Sequence, residues 1–517
     1  TTLTEKLLLF SGAIHVAGSV KARKASRHAT SDWMEIEKQR GISVASSVMQ
    51  MLYREHVINL LDTPGHRDFS EDTYRVLTAV DSALMVIDAA NGVEAQTKRL
   101  IEVCRQRDTP IMTFVNKMDR EGRDPIELLD EIEAELGMPC VPMTWPVGQG
   151  KAFGGIINLR TQTMRVFQPG EDTVDASAAE EIPLSDTATL KARFGADFDH
   201  AMANIELLSG VSPAFDREAF LAARQTPVFF GSAVNNFGVQ EVLDALVDLA
   251  PPPHPRASSN ADGSLTEIAP DSEGFSGVVF KVQANMDPQH RDRIAFVRVC
   301  SGKYASGMKL KVVRSGKEMR PTSVVTFLSQ RREAVDEAYA GDIIGFTIHG
   351  GVQLGDTITD GASLQFTGLP FFAPELFQTV ELKNPLKSKQ LQQGLAQLGE
   401  EGAIQVFKPQ LGSLMLLGAV GQLQFEVVQH RLSTEYKAEI ALKGSQFVGA
   451  RWVTCDDPAE MKKFMDYNAT KLAYDAADTL AYLLTSNYDL RLTQERHPKI
   501  QFHPLREHAG LKLEQAA

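Results

Sequence analysis

The sequence predicts an α/β protein with a doubly wound parallel sheet, followed by a β-barrel domain and an α+β domain of the ferredoxin-like type. Three observations predict this order. Apolar runs alternate with amphipathic helical patterns up to about residue 250, and short alternating runs punctuated by glycine follow to about residue 366. The rest of the chain repeats strand and helix patterns in the order β-α-β-β-α-β.

Four apolar runs in the first half end in turns that carry polar side chains or glycine. The runs at 57–61, 84–88, 111–115 and 227–230 lead into DTPG, AANG, NKMD and GSA, respectively. Helical patterns at 69–80, 94–106 and 124–136 separate them. Continuous apolar strands joined by helices indicate a parallel sheet covered on both faces, which binds ligands beyond the carboxyl ends of its strands. We therefore expect these turns to form one site.

Composition and charge narrow the class of protein. A chain of 517 residues predicts two to four domains, and its net charge of −13 argues against broad, non-specific nucleic-acid binding. We expect no DNA partner. The basic run at 21–28 is either a local RNA-docking patch or a solvated loop. Four isolated cysteines fit a reducing cytosolic compartment, and no stretch is long and apolar enough to predict a membrane span.

The NKMD and GSA turns contain the residue types that read guanine. Asp119 could accept hydrogen bonds from the ring N–H and the exocyclic amine of guanine, a donor pair that adenine lacks. Asn116 and the stem of Lys117 would brace the loop and cover the base. Ser232 and Ala233 would offer a backbone N–H to the guanine carbonyl oxygen. Taken alone, NKMD could equally be a surface loop, and GSA is a weak signal.

The DTPGH turn combines a carboxylate, a glycine and a histidine. Asp62 would hold Mg²⁺ through a water, because this hard cation prefers oxygen ligands and keeps its waters. Gly65 would let a backbone N–H approach a terminal phosphate, and His66 would orient the attacking water. An isolated PGH would more simply be a turn whose histidine is satisfied locally, but its position after a strand and an Asp-Thr pair favours an active site.

The chain opens without methionine, directly in a helix pattern with Leu3, Leu7, Phe10 and Ile14 on one stripe. We therefore expect further residues upstream. If a glycine-rich loop and a lysine precede Thr1 and Thr2, the Thr1 hydroxyl would bind Mg²⁺ and the helix amino terminus would bind phosphate. Without the other motifs, the two threonines would be an ordinary amino-terminal helix cap.

Taken together, these motifs resemble the translational GTPase family. SDWMEIEKQRGISV (31–44), DTPGH (62–66), NKMD (116–119) and GSA (231–233) occur in the family's order, and the resemblance covers essentially the whole chain. The stretch at 279–310 is similar to the second domain of the members that act at termination rather than to that of elongation factor G. The resemblance implies a P-loop GTPase domain whose lysine lies upstream of Thr1.

The resemblance also implies the roles of particular residues and partners. Switch I would end at Val44 with Ser43 on Mg²⁺, and switch II would open over 62–68 with His66 as the water-positioning residue. Cofactors would be GTP or GDP and Mg²⁺. The protein would be a ribosome-stimulated GTPase of translation termination that contacts ribosomal RNA and proteins. It would promote dissociation and recycling of class I release factors after peptide release, as a cytoplasmic monomer without membrane partners.

Three alternatives remain open at this level. An elongation factor G-like or ribosomal protection GTPase would carry two further domains after the third, and the chain ends at Ala517. A metabolic P-loop enzyme using ATP would not need the carboxylate of Asp119. A catalytically silent module that senses GTP against GDP would not need His66.

Domain boundaries follow from composition. We expect a GTP-binding domain at 1–255 with an insertion at about 145–225, and a Pro/Ser/Asn-rich linker at 256–273. A β-barrel domain at 274–366 and an α+β domain at 367–517 would complete the chain. Arg451 and Trp452 in the last domain could contact RNA or a protein, or could serve packing and ion pairing.

Overall fold

The structure, a computed structural model, describes residues 1–14, 37, 43–166, 180–260, 262–284, 293–321, 323–328, 331–348, 350–412 and 415–507. The chain divides into two units. The first unit contains Thr1–Ser43, Ser47–Asp62 and Val80–Pro252. The second contains Val44–Ser46, Thr63–Ala79 and Pro253–Ala517.

The α-helices of the described residues are, in chain order, α1 (Thr2–Phe10), α2 (Ser70–Leu77), α3 (Ala95–Arg105), α4 (Pro125–Leu136), α5 (Thr187–Val211), α6 (Arg217–Leu221), α7 (Val239–Asp248), α8 (Ser388–Glu400), α9 (Gln422–Thr434), α10 (Pro458–Asn468) and α11 (Asn487–Arg496).

The strands up to residue 252 are β1 (Ser47–Tyr53), β2 (His56–Asp62), β3 (Ala83–Asp88), β4 (Ile111–Asn116), β5 (Cys140–Pro142), β6 (Thr144–Val147), β7 (Gly155–Asn158), β8 (Thr163–Val166), β9 (Glu181–Pro183) and β10 (Thr226–Phe230). Those from 253 to 366 are β11 (Arg256–Asn260), β12 (Leu265–Ile268), β13 (Ser276–Ala284), β14 (Arg293–Ser301), β15 (Lys303–Ala305), β16 (Leu310–Val312), β17 (Lys317–Met319), β18 (Val324–Leu328), β19 (Arg331–Ala334), β20 (Glu337–Tyr339), β21 (Ile343–Ile348), β22 (Thr357–Thr359) and β23 (Leu364–Phe366). The remaining strands are β24 (Pro370–Phe372), β25 (Leu376–Leu382), β26 (Gln405–Pro409), β27 (Leu416–Ala419), β28 (Ile440–Gly444), β29 (Gly449–Thr454), β30 (Leu472–Tyr474), β31 (Leu480–Leu484), β32 (Gln501–His503) and β33 (Leu505–Glu507).

A parallel sheet with strand order β3-β4-β10-β5 forms the centre of the first unit. The strands pair in parallel as predicted, and their carboxyl ends carry the NKMD and GSA turns at one edge. Local sequence fixes the helices between them. For α4, the Asp124 side chain accepts from the Ile126 amide at 2.8 Å, Pro125 begins the helix, and Gly137 ends it in the left-handed region.

Contrary to the prediction, the run at 57–61 does not pair with any of the described strands of this parallel sheet. Strand β2 pairs antiparallel with β1 over its whole length, from Ser47 opposite Asp62 to Tyr53 opposite His56. Arg54 and Glu55 both adopt positive φ, which suits a two-residue hairpin turn. An apolar run has the same pattern in a parallel sheet and in a hairpin, and Val57 is in fact 56% exposed.

The insertion expected at about 145–225 consists of two parts. An antiparallel sheet of order β6-β7-β8-β9 is followed by the long helix α5, which is kinked at Gly195. Trp145, Ile156 and Met164 are buried in this part of the unit.

The barrel strands of the second unit follow the order β17-β16-β22-β13-β14-β21-β18, with β19 beside β18. The segment 256–273, predicted as a linker, instead contains β11 and β12, which pair with each other and with β23. Its serine-rich composition does not prevent a strand, because Ser258 is buried and bonds to Thr266 across the pair.

The last part of the second unit has the predicted β-α-β-β-α-β order in β25, α8, β26, β27, α9 and β28. Their sheet order, β28-β25-β27-β26, is that of a ferredoxin-like unit, and it continues through β30, β31, β29 and β32. Leu395 and Leu398 of α8 pack with Phe425, Val428 and Leu432 of α9 in one core.

Three further features of the sequence can be set beside the structure. Trp452 is buried and donates to Asp475 at 2.9 Å, so it serves packing. The basic run at 21–28 and most of the 31–44 motif lie outside the described residues. None of the described helices is long and apolar enough to cross a membrane.

Candidate functional site

The amide side chain of Asn116 joins the two turns at the carboxyl edge of the parallel sheet. Its Oδ1 accepts from the backbone amide of Lys117 at 2.8 Å and from that of Ala233 at 2.9 Å. The Met118 amide donates to the Gly231 carbonyl at 3.1 Å. Asn116 can do this because it is the last residue of β4 and β10 pairs directly with β4.

A second side-chain bond links the same turns. The Ser232 hydroxyl donates to Asp119 Oδ1 at 2.6 Å, and Asn235 Nδ2 donates to Ser232 Oγ at 2.9 Å. Ser232 is fully buried, whereas Asp119 keeps part of its surface exposed. The carboxylate is thus held in place through one oxygen, and its other oxygen accepts no hydrogen bond from the described residues.

The GSA turn needs glycine for a steric reason. A Cβ at Gly231 would lie 2.2 Å from the Phe237 carbonyl oxygen, which is a backbone atom that cannot easily move. The Ser232 amide donates to that same carbonyl at 3.0 Å. Both amides that we expected to face a base, those of Ser232 and Ala233, therefore donate to protein acceptors in this structure.

Lys117 adopts φ of +70°, a conformation that non-glycine residues seldom take. Its Nζ donates to Asp88 Oδ2 at 2.6 Å, which ties the NKMD turn to the end of β3. Burial alone would raise the pKa of Asp88, but the bonds from Lys117 and the Ala90 amide lower it below its ordinary value.

The three residues predicted to bind magnesium lie close together in the first unit. The Thr1 and Ser43 hydroxyl oxygens are 3.3 Å apart, and the Thr1 nitrogen is 3.6 Å from Asp62 Oδ2. Thr1 precedes α1 but makes no side-chain cap bond, so the simple capping explanation does not describe it. Asp62 Oδ2 is buried without a hydrogen-bond partner among the described residues. A buried carboxylate oxygen that accepts no hydrogen bond, close to Thr1, whose hydroxyl in turn lies next to that of Ser43, is a set of oxygen ligands that fits a hydrated Mg²⁺.

Helix α1 connects these two groups of residues. It contacts the turn Ala233–Asn235 and packs against α7, while Thr1 and Thr2 stand at its amino end. The first unit thus contains all the predicted nucleotide and magnesium residues other than Gly65. Among the described residues, no cluster of three or more His, Cys, Asp or Glu side chains forms a metal site of another kind.

Gly65 and His66 belong to the second unit. Gly65 is exposed, and a Cβ there would have no described atom within 4 Å, so the described protein does not itself require glycine. His66 is 43% exposed at its side chain, and its Nδ1 accepts from the Asp68 amide at 3.2 Å. The segment that carries them, Thr63–Ala79, leads into α2.

Sequence reasoning missed Lys281, which joins Ser46 and Asp72, residues that lie shortly after the two predicted switch segments. Its Nζ donates to the Ser46 carbonyl at 2.6 Å and to Ser46 Oγ at 2.9 Å, and lies 3.6 Å from Asp72 Oδ2. The Ser46 amide donates to Asp72 Oδ2 at 2.5 Å. Lys281 is buried in β13 next to a bulge. A lysine within an apolar run was the one available signal.

Acid should weaken the contacts that Lys281 and Ser46 make with Asp72. Burial alone would raise the pKa of Asp72, but Lys281 and the Ser46 amide lower it below its ordinary value of 3.8. The carboxylate therefore contributes stability above about pH 4, and this contribution is lost as the pH falls through the folded value. We expect Asp72→Asn to lower the free energy of unfolding by about 2 kcal/mol at neutral pH. This loss is smaller than the loss on breaking a fully buried ion pair, because one fifth of the Asp72 side chain is exposed.

Urea unfolding followed by circular dichroism checks this expectation. The difference between Asp72→Asn and the unmodified protein should shrink as the pH is lowered below about 4. Asp262→Asn, in an exposed turn, is the control and should change little. An equal loss at neutral and acidic pH would mean that the ionised form of Asp72 is not what stabilises the fold.

Comparison with known families identifies the class of protein. The sequence model described as Elongation factor Tu GTP binding domain matches residues 1–252, and Elongation factor G domain 2 matches 274–361. The model described as Class II release factor RF3, C-terminal domain, matches 366–494. The crystal structure of a protein from Thermus thermophilus resembles the fold with a TM-score of 0.69 at 23% identity, over 89% of this chain and 69% of that chain. Fold and site therefore define a translational GTPase.

Full-length relatives narrow the class further. Peptide chain release factor 3 of Bordetella pertussis is 66% identical over 99% of this chain and 94% of its own. Peptide chain release factor 3 of Nitrosomonas eutropha is 64% identical over 100% of this chain and 96% of its own. The chain belongs to the peptide chain release factor 3 family, as the sequence motifs predicted. It is a GTPase of translation termination.

Proposed function

We propose that this GTPase is stimulated by the ribosome and drives class I release factors off after peptide release, so that they can be used again. Its partners would be ribosomal RNA and proteins and the class I factor, and it would work as a cytoplasmic monomer. The observation that carries the proposal is the pair of bonds Asn116–Ala233 and Asp119–Ser232, which hold together the two turns that would read guanine. Family membership supports the termination role over the elongation factor G-like alternative.

Guanine recognition would rest on Asp119. Ser232 holds one carboxylate oxygen, which limits the rotation of the group and leaves the other oxygen to meet the donors of the base. The Ala233 N–H would reach the guanine carbonyl oxygen by sharing or exchanging its bond to Asn116. Lys117, fixed to Asp88, would cover the base with its aliphatic stem.

Phosphate and magnesium would be held at the amino end of α1. Thr1, Ser43 and Asp62, the last through a water, would hold Mg²⁺, and the Thr2 amide would face phosphate oxygens. When bound, the ion would neutralise charge on the phosphates. The protein itself would contribute positioning, since phosphoryl transfer requires little covalent chemistry from the enzyme.

Gly65 and His66 would act at the terminal phosphate. The exposed Gly65 would let its backbone N–H approach that phosphate, and His66 would orient the attacking water. Val44–Ser46 and Thr63–Ala79 pack within the unit that contains the barrel and the C-terminal strands. A nucleotide that orders or releases these segments would therefore act on that unit, which is how order–disorder switches control domain arrangement.

We also propose the domain boundaries 1–255, 274–366 and 367–517, with an insertion at about 145–225. The three family matches at 1–252, 274–361 and 366–494 support them. The segment 256–273 would then be a connection built as a hairpin.

A release assay tests the function. A labelled class I factor is bound to post-termination ribosomes, and its dissociation is followed after addition of this protein with GTP, a non-hydrolysable analogue or GDP. We expect GTP and the analogue to accelerate dissociation, and repeated rounds to require GTP. Dissociation that occurs only together with translocation of the ribosome would favour the elongation factor G-like alternative instead.

A further inference from the structure

The carboxylate of Asp68 caps a helix that lies far away in sequence. Helix α9 begins after Gly421, which has no side chain to satisfy the first amides. Asp68 Oδ2 accepts from the Leu423 amide at 2.8 Å, and Asp68 is 15% exposed at its side chain. A negative group at this position is favoured by both the unpaired amides and the helix dipole.

Gly421 leaves the room that this cap requires. A Cβ at Gly421 would lie 1.9 Å from Asp68 Cγ and 2.2 Å from its Oδ1. Gly421 has no positive φ, so its backbone alone does not call for glycine. Contact with Asp68 is therefore the steric reason for glycine at this position.

Asp68 also fixes the ring of His66. Its backbone amide donates to His66 Nδ1 at 3.2 Å, and its Oδ1 lies 3.6 Å from the same nitrogen. A neutral imidazole whose Nδ1 accepts a hydrogen bond carries its proton on Nε2. The arrangement therefore sets the tautomer as well as the direction of the ring.

We infer that Asp68 is a positioning residue that lets the amino end of α9 hold His66 in its active orientation and tautomer. The inference rests on the role proposed above for His66. Because α9 lies within residues matched by the release factor C-terminal family, the orientation of the ring depends on that part of the chain. His66 would then be ready to donate through Nε2–H only while the cap is made.

Other contacts hold the rest of the segment Thr63–Ala79. Arg75 Nη1 donates to the Gly402 carbonyl at 3.3 Å, and Gln405 Nε2 donates to Glu71 Oε1 at 3.1 Å. The Tyr74 and Phe372 rings pack in a tilted arrangement, with centroids 5.1 Å apart. Loss of the cap should therefore release the His66–Asp68 turn while α2 stays in place.

Gly421→Ala tests this without removing a charge, and Gly444→Ala is its matched control, since a Cβ at Gly444 meets no described atom within 4 Å. We expect Gly421→Ala to lower the ribosome-stimulated kcat about tenfold or more, with GTP affinity and the KM for ribosomes nearly unchanged. Gly444→Ala should behave like the unmodified protein. Asp68→Ala should match Gly421→Ala, and Asp68→Asn, which keeps an acceptor for the Leu423 amide, should recover part of the rate.

The ring itself provides a readout that does not depend on turnover. Nuclear magnetic resonance of ring-labelled histidine near pH 8, with the His66 signal assigned from His66→Ala, reports the tautomer. We expect the Nε2–H form in the unmodified protein and in Gly444→Ala, and a mixture of tautomers in Gly421→Ala and Asp68→Ala. An unchanged His66 signal in both cap variants would overturn the inference, whichever rate they show.

The two proposals fail in different ways. If His66→Ala retains its turnover while the cap variants shift the His66 signal, the catalytic role of His66 is wrong but the positioning by Asp68 stands. If His66→Ala loses its turnover and the cap variants change neither signal nor kcat, the catalytic role stands and the positioning is wrong. If Gly421→Ala does not fold, the His66 signal is compared between Asp68→Asn and Asp68→Ala, and this comparison tests the positioning role.

Discussion

The Asp119→Asn protein is expected to bind GTP at least about a hundredfold more weakly and to bind xanthosine nucleotides in its place. Guanine presents a ring N–H and an exocyclic amine, and a carboxylate can accept from both. Asparagine replaces one acceptor by an NH₂ donor, which repels the amine but matches the carbonyl oxygen that xanthine has there. The introduced asparagine could still accept the Ser232 hydroxyl through its Oδ1, so the turn should keep its geometry.

Titrations with GTP, GDP and the xanthosine nucleotides measure this change. Asp124→Asn is a matched control, because Asp124 caps α4 from the same turn and asparagine is an equally good cap. The control should keep its preference for GTP. If Asp119→Asn also keeps that preference, Asp119 does not read the base, and an enzyme that uses another nucleotide becomes the better interpretation.

His66→Ala is expected to retain GTP affinity and to lose ribosome-stimulated turnover by about a hundredfold to a thousandfold. The ring is nearly half exposed, and its contacts with described residues are those with the Asp68 amide and carboxylate and a distant one with the Phe69 ring, so its removal should cost little stability. Loss of a group that orients water in the transition state lowers kcat without weakening the ground-state complex.

Single-turnover and steady-state GTP hydrolysis with and without ribosomes separate these effects. His56→Ala is the control, since His56 is also exposed and its ring bonds to the Arg54 carbonyl within the hairpin turn of the first unit. The control should hydrolyse GTP like the unmodified protein. A His66→Ala protein that hydrolyses GTP at the normal stimulated rate would show that another group positions the water.

Patterns local in sequence predicted most of the fold and much of the candidate site. Strands β3, β4 and β10 have apolar runs of the right length, and two of them end in motifs whose residues bond to each other, Asn116 with Ala233 and Asp119 with Ser232. The error at β2 has a physical source. The sequence SVMQMLY of β1 was not recognised as a strand, and without a partner strand the run at 57–61 could not be distinguished from a parallel one.

Contacts between residues far apart in sequence could not be predicted from such local patterns. Asp68 and Leu423 are 355 positions apart, and a glycine before a helix gives no indication that its cap comes from elsewhere. Lys281 reaches Ser46 across 235 positions, and its place on β13 depends on a bulge that shifts the register between Val279 and Lys281. Such pairings depend on how the strands and helices pack together, which a single sequence does not specify.

The membership of Thr63–Ala79 in the second unit has a practical consequence for anyone who dissects this protein. A cut after Pro252 looks natural, because the first family match ends there. The excised fragment would keep α2 but lose Lys281, Gln405 and the amino end of α9, so the buried Glu71, Arg75 and Val76 would become solvated. Catalytic rates measured on such a fragment would describe a His66–Asp68 turn that lacks its stabilising contacts. Activities should therefore be compared on the longer polypeptide.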